Sequence, residues 1–285
     1  MKDYIWMISV MSYLVFAPIV GGLIAGIDRK ISARMQGRYG PPLLQPFYDV
    51  FKLLQKENIV VNKNQKFFVF CFLIFVIIAG AIFFAGHDLL LAIFALTLAS
   101  VFLVIAAYST YSPYAYIGAE REMLQIMAYE PMVILTTIGL YMATGSFNVA
   151  DIAAYDGVLF LSLPATFFGF VFILTIKLRK SPFDISMSHH AHQEIVRGLT
   201  TEFSGKELAY IEISHWYENV FLLGLVYLFF ASNPILGLIV VLATYFLEIF
   251  IDNANARLKW QSALGSAWIV AFVLGVGNIV ILAFR

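Results

Sequence analysis

Cysteine and charged residues are both scarce in this sequence. The 285 residues contain a single cysteine, Cys71, which lies inside a long apolar segment. An iron–sulfur cluster needs about four thiolates, and a structural zinc site needs several nitrogen or sulfur ligands close together, so we expect no metal and no redox cofactor in this chain. Asp, Glu, Lys and Arg make up only 13% of the residues, with a formal net charge of zero and no basic stripe. Nothing therefore indicates nucleic-acid binding.

Internal repeats and low-complexity tracts are not visible either. A standalone transporter would need broken helices at corresponding positions of two repeated halves. The lack of an internal repeat therefore disfavours a transporter. An intramembrane enzyme would need a nucleophile with its base, or a set of metal ligands, and neither pattern is present.

Long apolar runs dominate the sequence instead. Hydrophobic residues make up 61% of the chain, which would leave a water-soluble domain with large exposed apolar areas. A helix needs roughly 20 apolar residues to cross a hydrocarbon core, and lipid satisfies no backbone group, so the spans must be helical. The sequence predicts an all-α polytopic membrane protein, a single domain over residues 1–285. Its eight predicted transmembrane helices are Tyr4–Ile27, Phe67–Gly86, Leu89–Thr110, Glu122–Thr144, Val158–Ile176, Ser214–Ala231, Pro234–Ile251 and Ala263–Phe284.

The basic residues fall almost entirely on one side of these spans. Sixteen of the 18 Lys and Arg follow odd-numbered helices, and only Lys2 and Arg285 lie on the other side. The positive-inside rule therefore predicts both termini outside and the large loops in the cytoplasm. The first apolar run is too long for the core of a cleaved signal and is predicted to be a transmembrane helix. The predicted cytoplasmic loops cover about residues 28–66, 111–121, 177–213 and 252–262.

The first predicted loop combines a rigid turn with an amphipathic helix. Two glycines and two prolines between residues 37 and 42 break any helix there. Beyond Pro46, apolar residues repeat at helical spacing, with Asp49 and two lysines on the opposite face. The pattern predicts a helix lying in the membrane interface, where it binds anionic lipid, a partner subunit, or both. The apolar positions are Phe47, Val50, Phe51 and Leu54.

Glu130 is predicted to lie inside the fourth span. Glu120 and Glu122 mark the entry of that span, and Glu130 lies roughly 12 Å deeper at helical rise. A carboxylate there costs about 3 kcal/mol unless it is neutral, paired or hydrated. Pro131 also leaves the carbonyl of Met127 without its helical donor. A hydrogen bond to a neighbouring helix would explain Glu130, but the pattern favours a protonatable relay site.

Three histidines stand close together in the loop after the fifth span. In a helical stretch, His189 and His192 would share one face, and His190 would lie with Glu194 on another. Histidine titrates near neutral pH, so these residues beside Glu194 and Glu202 suit proton transfer. A histidine-rich di-iron site would need more histidines than the five in this chain. A polar loop with incidental histidines is the plain alternative.

Two acidic residues end the seventh span. Glu248 and Asp252 are four residues apart, so they share a helix face, where like charges repel and favour a shared proton. Ordinary pairing with Arg257 or Lys259 explains them equally well.

Four blocks of the sequence, in order, resemble the eight-helix membrane subunit shared by respiratory complex I and the energy-converting, group 4 NiFe hydrogenases. The blocks are Asp28–Pro42, Leu44–Glu57, Gly118–Glu130 and Arg179–Gly205. In complex I, the segment after the Pro-Phe-Asp motif is acidic, whereas Ser186–Gly198 here has histidines and keeps only Glu194. The segment Asp252–Arg257 resembles the Ech and formate-hydrogenlyase branch. An ungapped count places His215 where complex I has a glutamate, flanked by Glu212 and Glu218.

The resemblance implies a non-catalytic membrane subunit in a prokaryotic cell membrane. Its implied partners are the hydrogenase large and small subunits and an iron–sulfur protein of a peripheral arm, an antiporter-like membrane subunit, and ferredoxin as electron donor. The Ni–Fe centre and iron–sulfur clusters would lie on those partners. The alternative is a quinone-site subunit of a complex I-like enzyme, with quinone near Arg38 and Asp184. The sequence does not distinguish H⁺ from Na⁺ as the translocated ion.

Two groups of residues follow as candidates for the site. The predicted proton or ion relay is Glu120, Glu122, Glu130, Glu194, Glu202, Glu212, Glu218, Glu248 and Asp252. The predicted docking and coupling surface is Arg34, Arg38, Asp184, His189, His190 and His192.

Overall fold

The computed structural model describes residues 2–57, 62–186 and 197–284. Over these ranges the backbone is helical, with no β-strand and one isolated bridge between Asp88 and Asn148. The predicted all-α class is confirmed. The helices are α1 (Lys2–Met35), α2 (Gln45–Gln55), α3 (Lys63–Phe84), α4 (Leu89–Tyr108), α5 (Pro113–Thr144), α6 (Val149–Ala153), α7 (Leu159–Ser162), α8 (Pro164–Lys177), α9 (Gly205–Leu228), α10 (Pro234–Ala254), α11 (Trp260–Val270) and α12 (Gly277–Ala283). A 3₁₀ turn (Gly198–Thr200) precedes α9, and a π-helical turn (Ala271–Val276) joins α11 to α12.

Six helical segments in the described ranges are long and apolar enough to cross a membrane. They are α1, α3, α4, α5, α10 and the continuous segment from α11 to α12. The other two predicted spans coincide with α7–α8 and α9. Helix α8 has only 14 residues, and α9 carries Lys206, Glu207, Glu212 and Glu218. The chain is an apolar helical membrane protein, whereas the count of eight spans and the outer position of both termini stay predictions.

Three helices extend past the predicted spans into charged sequence. Helix α1 continues to Met35 instead of ending at Ile27, and α5 begins at Pro113 instead of Glu122. Helix α9 likewise begins at Gly205, before its apolar part. The predicted spans end where hydrophobicity is lost, whereas a helix satisfies its own backbone groups in any surroundings, so these helices continue beyond the spans. Charged residues predicted to lie in loops therefore stand on rigid helices.

The apolar core is shared by α3, α4, α5, α8 and α9. One large side chain from each of these helices is fully buried there: Phe72, Leu103, Met132, Phe170 and Phe221. The outer faces of α1, α4 and α10 present large apolar side chains to the surroundings, as expected for helices in lipid. Because lipid is as apolar as the core, close packing rather than escape from water holds these helices together.

The predicted amphipathic helix is α2, and its apolar face packs on α9. Val50 is buried against Ala209 and Trp216, and the ring of Phe47 lies 5.1 Å from that of Trp216. Phe51, on the same predicted face, is exposed. Helix α2 is therefore fixed to the protein on one side and leaves Phe51 available to lipid or a partner.

The fifth predicted span is broken between Ser162 and Pro164. Asn278, from α12, bridges the break: its side-chain oxygen accepts hydrogen bonds from the backbone N–H groups of Ala165 (2.9 Å) and Thr166 (3.2 Å). Its side-chain amide donates to the carbonyl of Ser162 at 3.1 Å. One buried side chain thus satisfies backbone groups on both sides of a helix break.

Candidate functional site

The charged ends of α1, α8, α9 and α10 surround a cavity of about 720 Å³. Ten of its 21 lining residues are Asp, Glu, Lys, Arg or His, so charged or titratable side chains make up about half of the lining. They include Arg38 and Asp184 from the predicted docking surface, and Glu212 and Asp252 from the predicted relay. The cavity therefore brings together residues from the first, third and last of the predicted cytoplasmic loops.

At one wall of the cavity, Arg179 joins two buried carboxylates. Its Nη2 lies 2.7 Å from Oε1 of Glu122, and its Nε lies 3.5 Å from Oε2 of the same group. Its Nη1 lies 3.8 Å from Oε2 of Glu218, and the hydroxyl of Ser186 donates to Glu122. Burial works against the charge of Arg179, but the two carboxylates outweigh it and raise the pKa of Arg179 further above its ordinary value. The guanidinium thus stays charged and neutralises two acids that would otherwise repel.

Lys177 is the second cation of this cluster, and it lines the cavity together with Arg179. Its Nζ lies 3.0 Å from Oε1 of Glu218. It also donates to the hydroxyls of Tyr129 at 3.0 Å and Ser100 at 3.2 Å. The side chain is only 5% exposed, so this ammonium depends on its three polar neighbours for stability.

Glu130 lies next to this group on α5. Its carboxylate accepts a hydrogen bond of 2.5 Å from the hydroxyl of Thr97. Thr97 and Ser100 are three residues apart on α4, so they stand on the same face about one turn apart. Because Lys177 contacts Ser100 and Glu130 contacts Thr97, the lysine is close enough to act electrostatically on Glu130.

Lys180 forms a second group of ion pairs on the other side of the cavity. Its ammonium contacts the carboxylate of Asp28 and lies 3.3 Å from that of Asp252. Burial of Lys180 would lower its pKa, but the two carboxylates outweigh burial and raise it. Asp252 therefore pairs with Lys180, whereas Arg257 lies 3.6 Å from Asp184.

The predicted pair at the end of α10 is divided between two environments. Asp252 lines the cavity, whereas Glu248 is fully buried, close to Thr175 of α8. Sharing of one proton between these two carboxylates stays a prediction.

The remaining predicted residues lie further from the cluster. Glu120 is exposed and interacts with the side chain of Tyr116, and Glu202 is half-buried. Arg34 is exposed and lies over the ring of Tyr39, 5.0 Å from its centroid. Four predicted residues lie outside the described ranges: His189, His190, His192 and Glu194. The roles of all these residues stay predictions.

Sequence reasoning did not select three residues that the structure places in the cluster. The sequence indicates Lys177 and Arg179 only as basic loop residues, and Tyr129 falls within a predicted apolar span. His215, identified only by its position, lies 3.2 Å from Glu218 through its Nδ1. One sequence feature could have indicated the cluster. Lys177 and Arg179 follow the fifth predicted span directly, and the predicted spans on either side of it contain Glu122 and Glu218.

The cluster brings carboxylates, cations and hydroxyl groups into hydrogen-bonding or ion-pair contact. In the described parts of the chain, no group of three or more His, Cys, Asp or Glu is arranged to hold a metal ion. Ionisable side chains are rare in helical membrane proteins, and where they occur they usually pair with one another or line a polar cavity, as they do here.

The chain belongs to the NADH dehydrogenase family, which it matches over residues 8–283. The H subunit of the NADH-quinone oxidoreductase of Dehalococcoides mccartyi is 27% identical, over 92% of this chain and 82% of the relative. The H subunit of the F420H2 dehydrogenase of Methanosarcina acetivorans is 28% identical, over 82% of this chain and 78% of the relative. Hydrogenase-4 component C of Escherichia coli is 30% identical, over 66% of this chain and 63% of the relative.

A solved structure has the same fold over nearly the whole chain. A chain of the membrane-bound sulfane sulfur reductase, an archaeal respiratory membrane complex, is 25% identical with a TM-score of 0.85. The match covers 96% of this chain and 99% of that one. The predicted family is thus confirmed, and its members include membrane subunits of several oxidoreductase complexes.

Proposed function

We propose that this chain is the membrane-anchoring and ion-translocation-coupling subunit of an energy-converting NiFe hydrogenase. In that complex, ferredoxin-dependent H₂ evolution in a peripheral arm drives translocation of H⁺ or Na⁺. The large and small subunits and an iron–sulfur protein of the arm carry the Ni–Fe centre and the clusters. An antiporter-like subunit lies beside this chain in the membrane, and the large loops face the cytoplasm.

The polar lining of the 720 Å³ cavity carries this proposal. A site for a long-chain quinone is expected to be mostly apolar with few polar groups, whereas this cavity has charged or histidine side chains at ten of its 21 positions. Charged side chains at about half of the lining positions favour water and ions in the cavity. The similarity to hydrogenase-4 component C of Escherichia coli supports the same branch.

Coupling would begin at the wall formed by Arg179. Both Glu122 and Glu218 are within reach of this guanidinium, so a change of charge in a docked arm can shift it towards one of them. The carboxylate that loses its cation then binds a proton more strongly. Repeated reduction and oxidation in the arm would load and release protons in this way.

One alternative is favoured by a specific observation. The Dehalococcoides mccartyi relative, which belongs to a NADH-quinone oxidoreductase, aligns with 92% of this chain. It supports a quinone-site subunit of a complex I-like NADH or ferredoxin:quinone oxidoreductase. Quinone would then bind near Arg38 and Asp184, which both line the cavity.

Metal content of the native complex distinguishes the two functions. The complex is purified through this chain in a mild detergent, and nickel, iron and H₂ evolution from reduced ferredoxin are measured. We expect stoichiometric nickel together with H₂ evolution. Membranes with an untagged chain, taken through the same purification, provide the background.

Two results would contradict the proposal. Iron–sulfur clusters without nickel, with quinone reduction that an Arg38→Ala substitution weakens, would establish the alternative. A chain that purifies without metal and without partners would exclude both functions.

A further inference from the structure

Lys177 is a buried cation at a junction of four helices. It stands at the C-terminal end of α8 and contacts Ser100 of α4, Tyr129 of α5 and Glu218 of α9. Each cation of the neighbouring groups has two carboxylates: Arg179 holds Glu122 and Glu218, and Lys180 holds two aspartates. Lys177 shares Glu218 with Arg179, so that two cations balance two carboxylates, and it differs from Arg179 and Lys180 in its further contacts with two hydroxyls, on α4 and α5.

We propose that Lys177 carries protons from Glu218 to Glu130, a role that rests on the ion-coupling function proposed above. Lys177 contacts Glu218 directly and Ser100 on α4, and Thr97, which binds Glu130, lies one turn from Ser100. Glu218 reaches the cavity through Arg179 and His215, which line it. Glu218 is next to Arg179 and His215 at the cavity end, and Glu130 is bound to Thr97 at the other end.

Tyr129 provides the surface along which the ammonium can move. The Nζ of Lys177 lies 4.4 Å from the centroid of the Tyr129 ring, which stabilises a cation over its face. Tyr129 directly precedes Glu130 in α5, and the contacts on α4, Ser100 and Thr97, are one turn apart. A flexible lysine side chain therefore needs to shift by about one helical turn to exchange Glu218 for Glu130.

The proton balance of one cycle is simple. Glu218 first binds a proton from the cavity, which removes the negative charge that holds the ammonium of Lys177. The ammonium then moves to the Glu130 carboxylate and donates a proton to it, leaving a neutral amine and a neutral acid. The amine returns to protonated Glu218 and takes its proton. Lys177 and Glu218 are thereby restored, and one proton has moved from the cavity to Glu130.

Lysine can perform this cycle and arginine cannot. An amine can release its proton in a protein interior, whereas a guanidinium stays protonated. Arg179 is therefore suited to hold Glu122 and Glu218 in place, and Lys177 is suited to carry a proton between carboxylates.

The test uses the whole complex with a Lys177→Arg substitution, which keeps the positive charge but prevents proton release. Ion uptake into proteoliposomes is measured together with whichever electron-transfer reaction the wild-type complex catalyses. We expect normal assembly and electron transfer, with ion uptake per electron reduced roughly tenfold or more. Lys63→Arg, at an exposed position at the start of α3, is the matched control and should leave uptake unchanged.

Unchanged ion uptake by the Lys177→Arg complex would overturn the proposal. Should that variant fail to assemble, the double substitution of Lys177→Met with Glu218→Gln removes both charges without leaving one unpaired. It should assemble and transfer electrons without ion uptake, and retained uptake would also overturn the proposal.

A spectroscopic readout separates this proposal from the proposed function. After a light-triggered proton release, the infrared band of a protonated carboxyl group that Glu130→Gln abolishes is followed with time. We expect its rise to be at least roughly tenfold slower in Lys177→Arg than in the wild type. A wild-type complex that moves no ion would exclude the coupling function, whereas equal band kinetics in both proteins would exclude the role of Lys177.

Discussion

Arg179 illustrates how single residues make this site possible. Its side chain and those of Glu122 and Glu218 are each at most 12% exposed, and the three form one connected group. Removing one partner of a buried ion pair typically costs about 3–5 kcal/mol, because the other charge stays buried and uncompensated. Each of the three charged side chains is therefore needed for stability, because replacing one leaves a partner buried without its counter-charge.

Glu130 differs from those residues because it has no cation within salt-bridge distance in the described structure. A Glu130→Gln substitution keeps an oxygen that accepts from Thr97 but cannot bind and release a proton. We expect ion translocation per electron to fall roughly tenfold or more while complex assembly is unchanged. Uptake into proteoliposomes and the yield of intact complex measure the two effects.

The control for this substitution is Asp156→Asn, at an exposed carboxylate between α6 and α7. It removes one carboxylate charge at a position remote from the cluster and should leave uptake unchanged. Translocation by the Glu130→Gln complex at the wild-type level would show that Glu130 is only a hydrogen-bonding residue.

At the scale of helices, hydrophobicity predicted where they are but not where they end. Each predicted span coincides with a helix or a pair of helices. A run of about 20 apolar residues has the length and composition of a helix that crosses a membrane. Helices α1 and α5 continue past their apolar parts, because their charged turns satisfy the same helical backbone bonds. The break before α8 was signalled by Pro164 inside the predicted span. Its satisfaction by Asn278 could not be foreseen, because that residue lies more than a hundred residues later.

The residues of the candidate site, like the helices, were predicted only in part from the sequence. Glu130 was singled out because an acid inside an apolar helix needs a reason, whereas Glu122 marked the entry of that span and Glu218 was found through the family resemblance. Lys177 was missed, since a basic residue at the end of a span normally extends to the interface. Its burial depends on the packing of α4, α5 and α9 around α8, which is long-range information that helical periodicity does not contain.

Asn278 provides a prediction at this scale. An Asn278→Ala substitution leaves the N–H groups of Ala165 and Thr166 and the carbonyl of Ser162 without their partner. We expect the free energy of unfolding to fall by about 1–3 kcal/mol, the usual cost of a buried unsatisfied group. Thermal unfolding in detergent measures this as a lower transition temperature.

Gly277→Ala is the matched control for Asn278→Ala. A methyl group at Gly277 would meet no atom within 4 Å and favours the helix. It should leave the transition temperature unchanged or slightly higher. An Asn278→Ala protein as stable as this control would show that the break before α8 is satisfied in another way.

At the scale of the whole molecule, charge is concentrated at one end. The cavity collects Asp28 from α1, Arg179 and Lys180 after α8, Glu212 from α9 and Asp252 from α10. Positive residues near span ends favour the cytoplasm. The arrangement therefore predicts that the cavity opens to the cytoplasm and receives protons from that side.

The single cysteine makes this orientation directly testable. In a Cys71→Ser background, one new cysteine is placed at Lys63 and another, in a separate protein, at Asp156. Helix α5 runs for 32 residues between these two ends of the protein, about 48 Å at helical rise, so the two positions report opposite sides of a membrane. We expect a membrane-impermeant maleimide to label Asp156→Cys in right-side-out vesicles, and Lys63→Cys only when the vesicles are inverted. The reverse pattern would place the cavity outside the cell, and protons from the cytoplasm could then not enter the relay through Glu218.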